Sequence, residues 1–224
     1  MHTSSESIRR LTVSAMLTAL AYACVALSSL VFPIKIEGFL SLECKDAVLM
    51  IGAFLFGPGT GFVMTLIVAM LEFLTFSGTG WIGLLMNVLS SALFVCPAAA
   101  IYRRRRTFGG ALTGLGCGAA AMCAGMLLWN YVMTPVYMGV ERATVVGLLL
   151  PVILPFNLLK AALNGALTML LYHSVVTVLR KARLLPPSAG SSPVHRGRSA
   201  WIAGIGLVCA VGLLLAALAW SGIL

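Results

Sequence analysis

Charge is what this sequence has least of. Only 9% of its 224 residues are charged and six are acidic, against about 25% charged in an average soluble domain. With a mean hydropathy of +1.04, the chain reads as an all-α integral membrane protein rather than a soluble one. Catalytic vocabulary is equally thin. The sequence holds no GxxxxGK[ST] phosphate loop, HExxH pair, GxSxG elbow or paired intramembrane carboxylates, so no enzyme and no ATPase of its own is expected. The six cysteines (24, 44, 96, 117, 123 and 209) form no CxxC or Cys/His cluster. They read as small apolar residues, and no metal or cofactor is expected. His173, alone in its apolar run, reads as packed or interfacial rather than as a proton relay.

What is present is a series of apolar runs, enough for six or seven crossings at about 20 residues each. The net charge of +9 does not point to nucleic acid, because the basic residues cluster where apolar runs end, as topology signals do. Arg9 and Arg10 precede the first run, 11–32, which Pro33 ends. Arg103–Arg106 follow the run 81–102, and Arg180, Lys181 and Arg183 follow the run that ends near Val178.

Between them, 47–75 is long enough for one helix but carries Gly57-Pro58-Gly59-Thr60-Gly61 in its middle, a helix-breaking cluster. Charge parity decides the matter. Keeping Arg9/Arg10 and the four-Arg block on one side needs an even number of crossings, so the stretch is predicted to be a hairpin of two. Residues 108–131 form the next span, 134–147 an outer loop, and Pro151 and Pro155 precede the sixth span. The predicted organisation is a membrane domain 1–183, a cytoplasmic linker 184–199 and an additional transmembrane helix within 200–224. On this scheme eleven Lys/Arg lie inside, three (35, 45, 142) outside, and Lys160 in the membrane, with the N-terminus cytoplasmic and the C-terminus outside.

The candidate site begins with Asn157, Lys160 and Asn164. At 100° per residue they fall within roughly 60° of arc on one helical face. An intramembrane Lys costs about 2.5–3.5 kcal/mol on insertion scales and faces a cavity or a partner. Asn130 and Asn87 are expected on the same side of the membrane. Amides offer paired donors and acceptors, and Trp129, Tyr131, Trp81 and Phe39 are candidate walls for a flat ring. The loop 35–46, the densest mixed-charge patch, is either a solvated connection or a lid. Glu72 reads as an interfacial anion in preference to a pocket group. Ala15, Ala19 and Ala23 make a small-residue stripe, fitted either to packing within the chain or to another protein. A proton- or sodium-coupled carrier would show acidic groups at mid-membrane, and none is evident.

Four segments carry a resemblance: GFLSLECKDAVLMIGAFLFGPGTGFVMTLIV (38–68), GTGWIGLLMNVLSSALFVCPAAAIYRRRR (78–106), NYVMTPVY (130–137) and PFNLLKAALNGAL (155–167). In this order and spacing the sequence resembles the substrate-binding S components of energy-coupling factor (ECF) vitamin transporters, the riboflavin type in particular. The resemblance implies a six-helix S-component bundle, to which this chain adds one C-terminal helix. It implies a bacterial cell membrane, a vitamin bound near the outer face under the first loop, and no catalysis by the chain. The expected partners are membrane lipid, a transmembrane T component and two ATPase subunits that use the ATP. Carried over residue by residue, Asn157 and Lys160 contact the flavin ring with Asn130. Asn87, Phe39 and Leu40 join them, and Ala15, Ala19 and Ala23 dock on the T component. Other readings are an S component for another vitamin such as pantothenate or for a modified base, a stand-alone secondary transporter, and a structural subunit.

Overall fold

A computed structural model of the chain describes residues 4–31, 35–36, 40–76 and 80–185. The linker beyond Leu185, the predicted seventh span and Phe39 lie outside them. The described residues form a helical bundle. Among the described residues, five stretches are long and apolar enough to cross a membrane: Glu6–Leu30, Pro58–Thr75, Gly80–Arg104, Phe108–Met138 and Arg142–Lys181. In chain order the helices are α1 (Ser4–Val31), α2 (Lys45–Phe56), α3 (Pro58–Thr75), α4 (Gly80–Arg104), α5 (Phe108–Met138), α6 (Arg142–Leu148) and α7 (Leu154–Lys181). Among the described residues the one strand pairing is a short antiparallel pair between α1 and α2, Lys35–Ile36 against Leu40–Ser41.

The predicted hairpin is present, with a turn tighter than the sequence suggested. Gly57 alone breaks the helix, at φ 97° and ψ 169°, a conformation that only glycine adopts without strain. Pro58 then opens α3 from its first turn, where a missing N–H costs nothing. The two arms run back antiparallel at close range. A Cβ on Gly61 would lie 2.5 Å from the Ala53 Cβ, and one on Gly52 would lie 2.6 Å from Met64. At ~1.5 Å per residue α2 is only about 18 Å long. A helix that short is tolerated because its far end is buried in protein rather than in lipid.

The turn also shows which elements share an end of the bundle. Arg10 Nη2 donates to the Phe56 carbonyl (2.9 Å) and to Thr60 Oγ1 (2.6 Å). Phe54 stacks on Tyr102 at 4.2 Å between centroids, and the Tyr102 and Tyr172 hydroxyls are 3.2 Å apart. Arg10, the hairpin turn, the Arg103–Arg106 block and the end of α7 therefore lie together. This is the even crossing number that charge parity called for.

Helices α4 and α5 make the most intimate pair. Gly114 and Gly118 leave no room for a side chain: a Cβ would stand 2.7 Å from the Ala98 carbonyl oxygen and 2.3 Å from that of Phe94. Thr107 caps α5 by accepting from the Gly110 N–H at 3.0 Å. Two predicted boundaries are corrected here. Helix α5 runs seven residues past Tyr131 to Met138, and helical backbone resumes at Arg142, so the loop expected over 134–147 shrinks to a tight turn at Gly139. Pro151 does not delay the last helix. It sits in a π-helical turn, Leu149–Ile153, that joins α6 to α7, and this wider turn accommodates the missing N–H. At the other end α7 closes with Arg183 left-handed (φ 57°) and Leu184 N–H bonded to Leu179 O, a Schellman motif. Leu184 and Leu185 pack against the core, so any linker starts after them.

Candidate ligand-binding site

Opposite the arginine-rich end, polar side chains converge inside the bundle. They come from the start of α7, the start of α2, the last turn of α3 and the first half of α4. Lys160 and Asn157 occupy the first two turns of α7 and are buried at 6% and 2% exposure. Lys160 Nζ faces Asp46 Oδ2 at 3.8 Å, while Asp46 Oδ1 accepts from Ser91 Oγ at 2.5 Å. Beside this group, Lys45 pairs with Glu43 at 2.6 Å and with Glu72, and Glu72 accepts from Asn87 Nδ2 at 2.5 Å. Each ammonium thus faces at least one carboxylate, as charges taken out of water must. Burial opposes the charge on Glu43. The neighbouring Lys45 and Lys160 ammoniums more than offset that, holding Glu43 below the ordinary carboxylate range. Burial pushes the adjoining Cys44 thiol up.

The geometry changes the reading of several residues. Glu72 is part of this buried cluster, not the interfacial anion that its place near a helix end suggested. Hairpin pairing brings it to Lys45, because the two are nearly equidistant from the Gly57 turn. Lys45, Asp46 and Ser91 were missed as site residues, the first two because they sat in an apparent loop. That hairpin symmetry is the signal that could have found Lys45. Trp81 is 67% exposed and lies on Phe73, centroids 4.6 Å apart. Tyr131 is also exposed and receives the Arg142 guanidinium over its ring at 5.3 Å. Neither lines the cleft that opens between α4 and α5. His173 is exposed on α7 rather than packed.

Asn164 is a packing amide. It donates to the Glu43 carbonyl at 2.8 Å and accepts from the Ala47 N–H at 2.9 Å, tying the first turn of α2 to α7. Asn157 Nδ2 donates to Ile153 O at 2.8 Å, taking up a carbonyl of the π-helical turn. Asn130 donates to Met126 O at 2.7 Å and accepts from Thr134 Oγ1 at 2.7 Å. Thr134 in turn lines a cleft between α4 and α5 with Ile82, Gly83, Met86, Trp129, Met133 and Tyr137. Met86 also packs on Leu40, Ile153 and Phe156, so the cleft and the Leu40 cluster share a wall. Leu40, 2% exposed, carries the strand that follows α1 down onto the start of α7. The result is an apolar, partly aromatic cleft, with Asn130 bonded to Thr134 of its lining and the Lys160–Asp46 group at the same end of the bundle.

A membrane bundle with a polar binding region at one end defines a membrane-embedded binding protein. Residues 9–172 match the family model "ECF transporter, substrate-specific component", and the chain belongs to that family. The family is a transporter component, not an enzyme. The chain is 29% identical over 180 residues to the riboflavin transporter RibU of Staphylococcus aureus (strain TCH60), an alignment covering 77% of this chain and 93% of the relative. It is 26% identical over 168 residues to the riboflavin transporter FmnP of Bacillus subtilis (strain 168), covering 68% and 84%. A solved structure described as the S component of a bacterial ECF transporter superposes with a TM-score of 0.64 at 30% identity, over 78% of this chain and 99% of that one.

Proposed function

We propose that this protein is a riboflavin-binding S component that captures the vitamin at the end of the bundle holding Lys160 and delivers it across the membrane with a T component and two ATPases. The observation that carries the reading is the buried pair Asn157 and Lys160 on successive turns of α7, in a chain whose two named relatives are riboflavin transporters. An amide and an ammonium side by side complement the carbonyls and ring nitrogens of a flavin edge. Asn130, Asn87 and Leu40 border the same region, and Trp129 offers the cleft an aromatic wall. ATP is used by the partner subunits. By the positive-inside rule the arginine-rich end is cytoplasmic, which puts the N-terminus inside and the binding end outside.

The test is a flavin titration of purified protein. Bound riboflavin is expected to lose its fluorescence at nanomolar to micromolar concentrations, and the absence of quenching overturns the reading. Lys160→Met is expected to weaken binding by about 1.5–3 kcal/mol, the worth of a hydrogen bond to a charged group. Unchanged affinity removes Lys160 from the site. Uptake into liposomes holding this chain alone would argue for a stand-alone carrier instead.

A further inference from the structure

Two lysines are buried at the binding end, and their surroundings differ. Lys45 is saturated: its ammonium stands 2.6 Å from a Glu43 oxygen and also bonds Glu72. Lys160 is not. Among the described residues its ion-pair partner is Asp46, at 3.8 Å between Nζ and Oδ2, too long for a hydrogen bond. Oδ2 is itself buried and, among the described residues, accepts no hydrogen bond. A buried acceptor left open costs stability, so one that persists calls for a role.

The gap is held from both sides. Asp46 Oδ1 accepts from Ser91 Oγ of α4 at 2.5 Å, which fixes the carboxylate. Asp46 also lies in the first turn of α2, where the helix dipole favours a negative charge. Asn164 then ties the two backbones together. It accepts from the Ala47 N–H at 2.9 Å and donates to the Lys160 carbonyl at 3.0 Å, so one side chain grips Lys160 and the residue next to Asp46. The two charged heads face each other at a distance set by α2, α4 and α7 together. Coulomb attraction falls only with the first power of distance, whereas a hydrogen bond needs contact. At 3.8 Å Asp46 supplies the countercharge that a buried ammonium needs, yet takes none of its N–H donors.

We propose that Asp46, anchored by Ser91, is the positioning residue for Lys160: it supplies the countercharge and holds the ammonium in place without consuming the donors that a ligand carbonyl or ring nitrogen takes up. The proposal rests on the reading of Lys160 as a ligand contact. It goes further by giving α2 and α4 a part in ligand affinity that acts through charge and not through contact.

The test is riboflavin quenching by the purified full chain and its variants, each first checked for a monodisperse gel-filtration profile. Asp46→Asn keeps the shape and an acceptor for Ser91 but removes the countercharge, and it should raise the Kd at least about tenfold. Ser91→Ala, which frees the carboxylate, should raise it about three- to tenfold, and Ser91→Thr, which restores the hydroxyl, should bring it back to within about twofold. In a Lys160→Met background Asp46→Asn should add less than about twofold, because a residue that acts through Lys160 then has nothing to position. Unchanged binding by Asp46→Asn, or an equal further loss on top of Lys160→Met, overturns the proposal while leaving Lys160 as a contact. If Asp46→Asn does not fold, the Ser91 variants decide: an unchanged Kd in Ser91→Ala, or a loss that Ser91→Thr shares, overturns it. Full-strength binding by Lys160→Met overturns the underlying reading and the proposal with it, which separates the two failures.

Discussion

Lys45 is the most consequential single side chain at the binding end. At 1% exposure it holds the carboxylates of Glu43 and Glu72, which belong to the segment after α1 and to α3. Replacing it with Met would leave two buried carboxylates facing each other. Breaking a buried pair by removing one partner costs about 3–5 kcal/mol, so Lys45→Met should lower the thermal midpoint of the detergent-solubilised protein sharply. Adding Glu72→Gln should recover part of the loss, since one stranded charge disappears, and a double-mutant cycle on melting curves measures that coupling. The contrast with Lys160 shows what a sequence reveals at this scale. Lys160 and Asn157 stand out because they interrupt an apolar run. Lys45 and Asp46 do not, because they follow a polar stretch that reads as solvent-facing. Their burial comes from the hairpin, which folds α3 back over them, and from Asn164, which clamps the first turn of α2 to α7.

Among the elements, helix–helix contact is set by where side chains are missing. A methyl group at Gly118 would lie 2.3 Å from the Phe94 carbonyl oxygen, which belongs to backbone that cannot step aside. Gly118→Ala is therefore expected to cost about 1–3 kcal/mol, the usual penalty of overpacking. Gly109→Ala, on the open side of the same helix with nothing within 4 Å, should be neutral or slightly stabilising. Thermal scans of the two variants side by side check this, and equal losses would mean that α4 and α5 are not in this register. The glycine richness of this helix announced tight packing, but not which partner it packs on. Its end was misplaced because Trp129-Asn130-Tyr131 reads as an interfacial belt, yet the backbone stays helical through Pro135 to Met138. The π-helical turn at Pro151 was illegible for a similar reason. Proline signals a break in a helical ladder, and whether the chain turns away or widens for one turn depends on the helices around it.

For the whole molecule, charge placement carried most of the architecture. The positions of Arg9, Arg10 and Arg103–Arg106 required an even number of crossings between them, and the fold meets that requirement through α2, whose 12 residues fall short of the about 20 that a full span needs. The same scale decides what the outer surface of α1 is for. Ala15, Ala19 and Ala23 are exposed, while Val13, Leu17, Ala21 and Val25 of the same helix are buried against the core. The stripe therefore does not serve packing among the described helices, and close approach by a second protein is the use that small exposed residues favour. If that protein is the T component, a bulky side chain at the middle of the stripe should separate the two halves of the function. Ala19→Leu changes no contact within the bundle, so riboflavin quenching by the purified variant should match the unmodified protein. Uptake by cells that also make the T and ATPase subunits should fall to background, because helices held a few ångströms apart lose most of their packing. Normal uptake by Ala19→Leu would place the partner on another face. Loss of both binding and uptake would show instead that α1 supports the site from within.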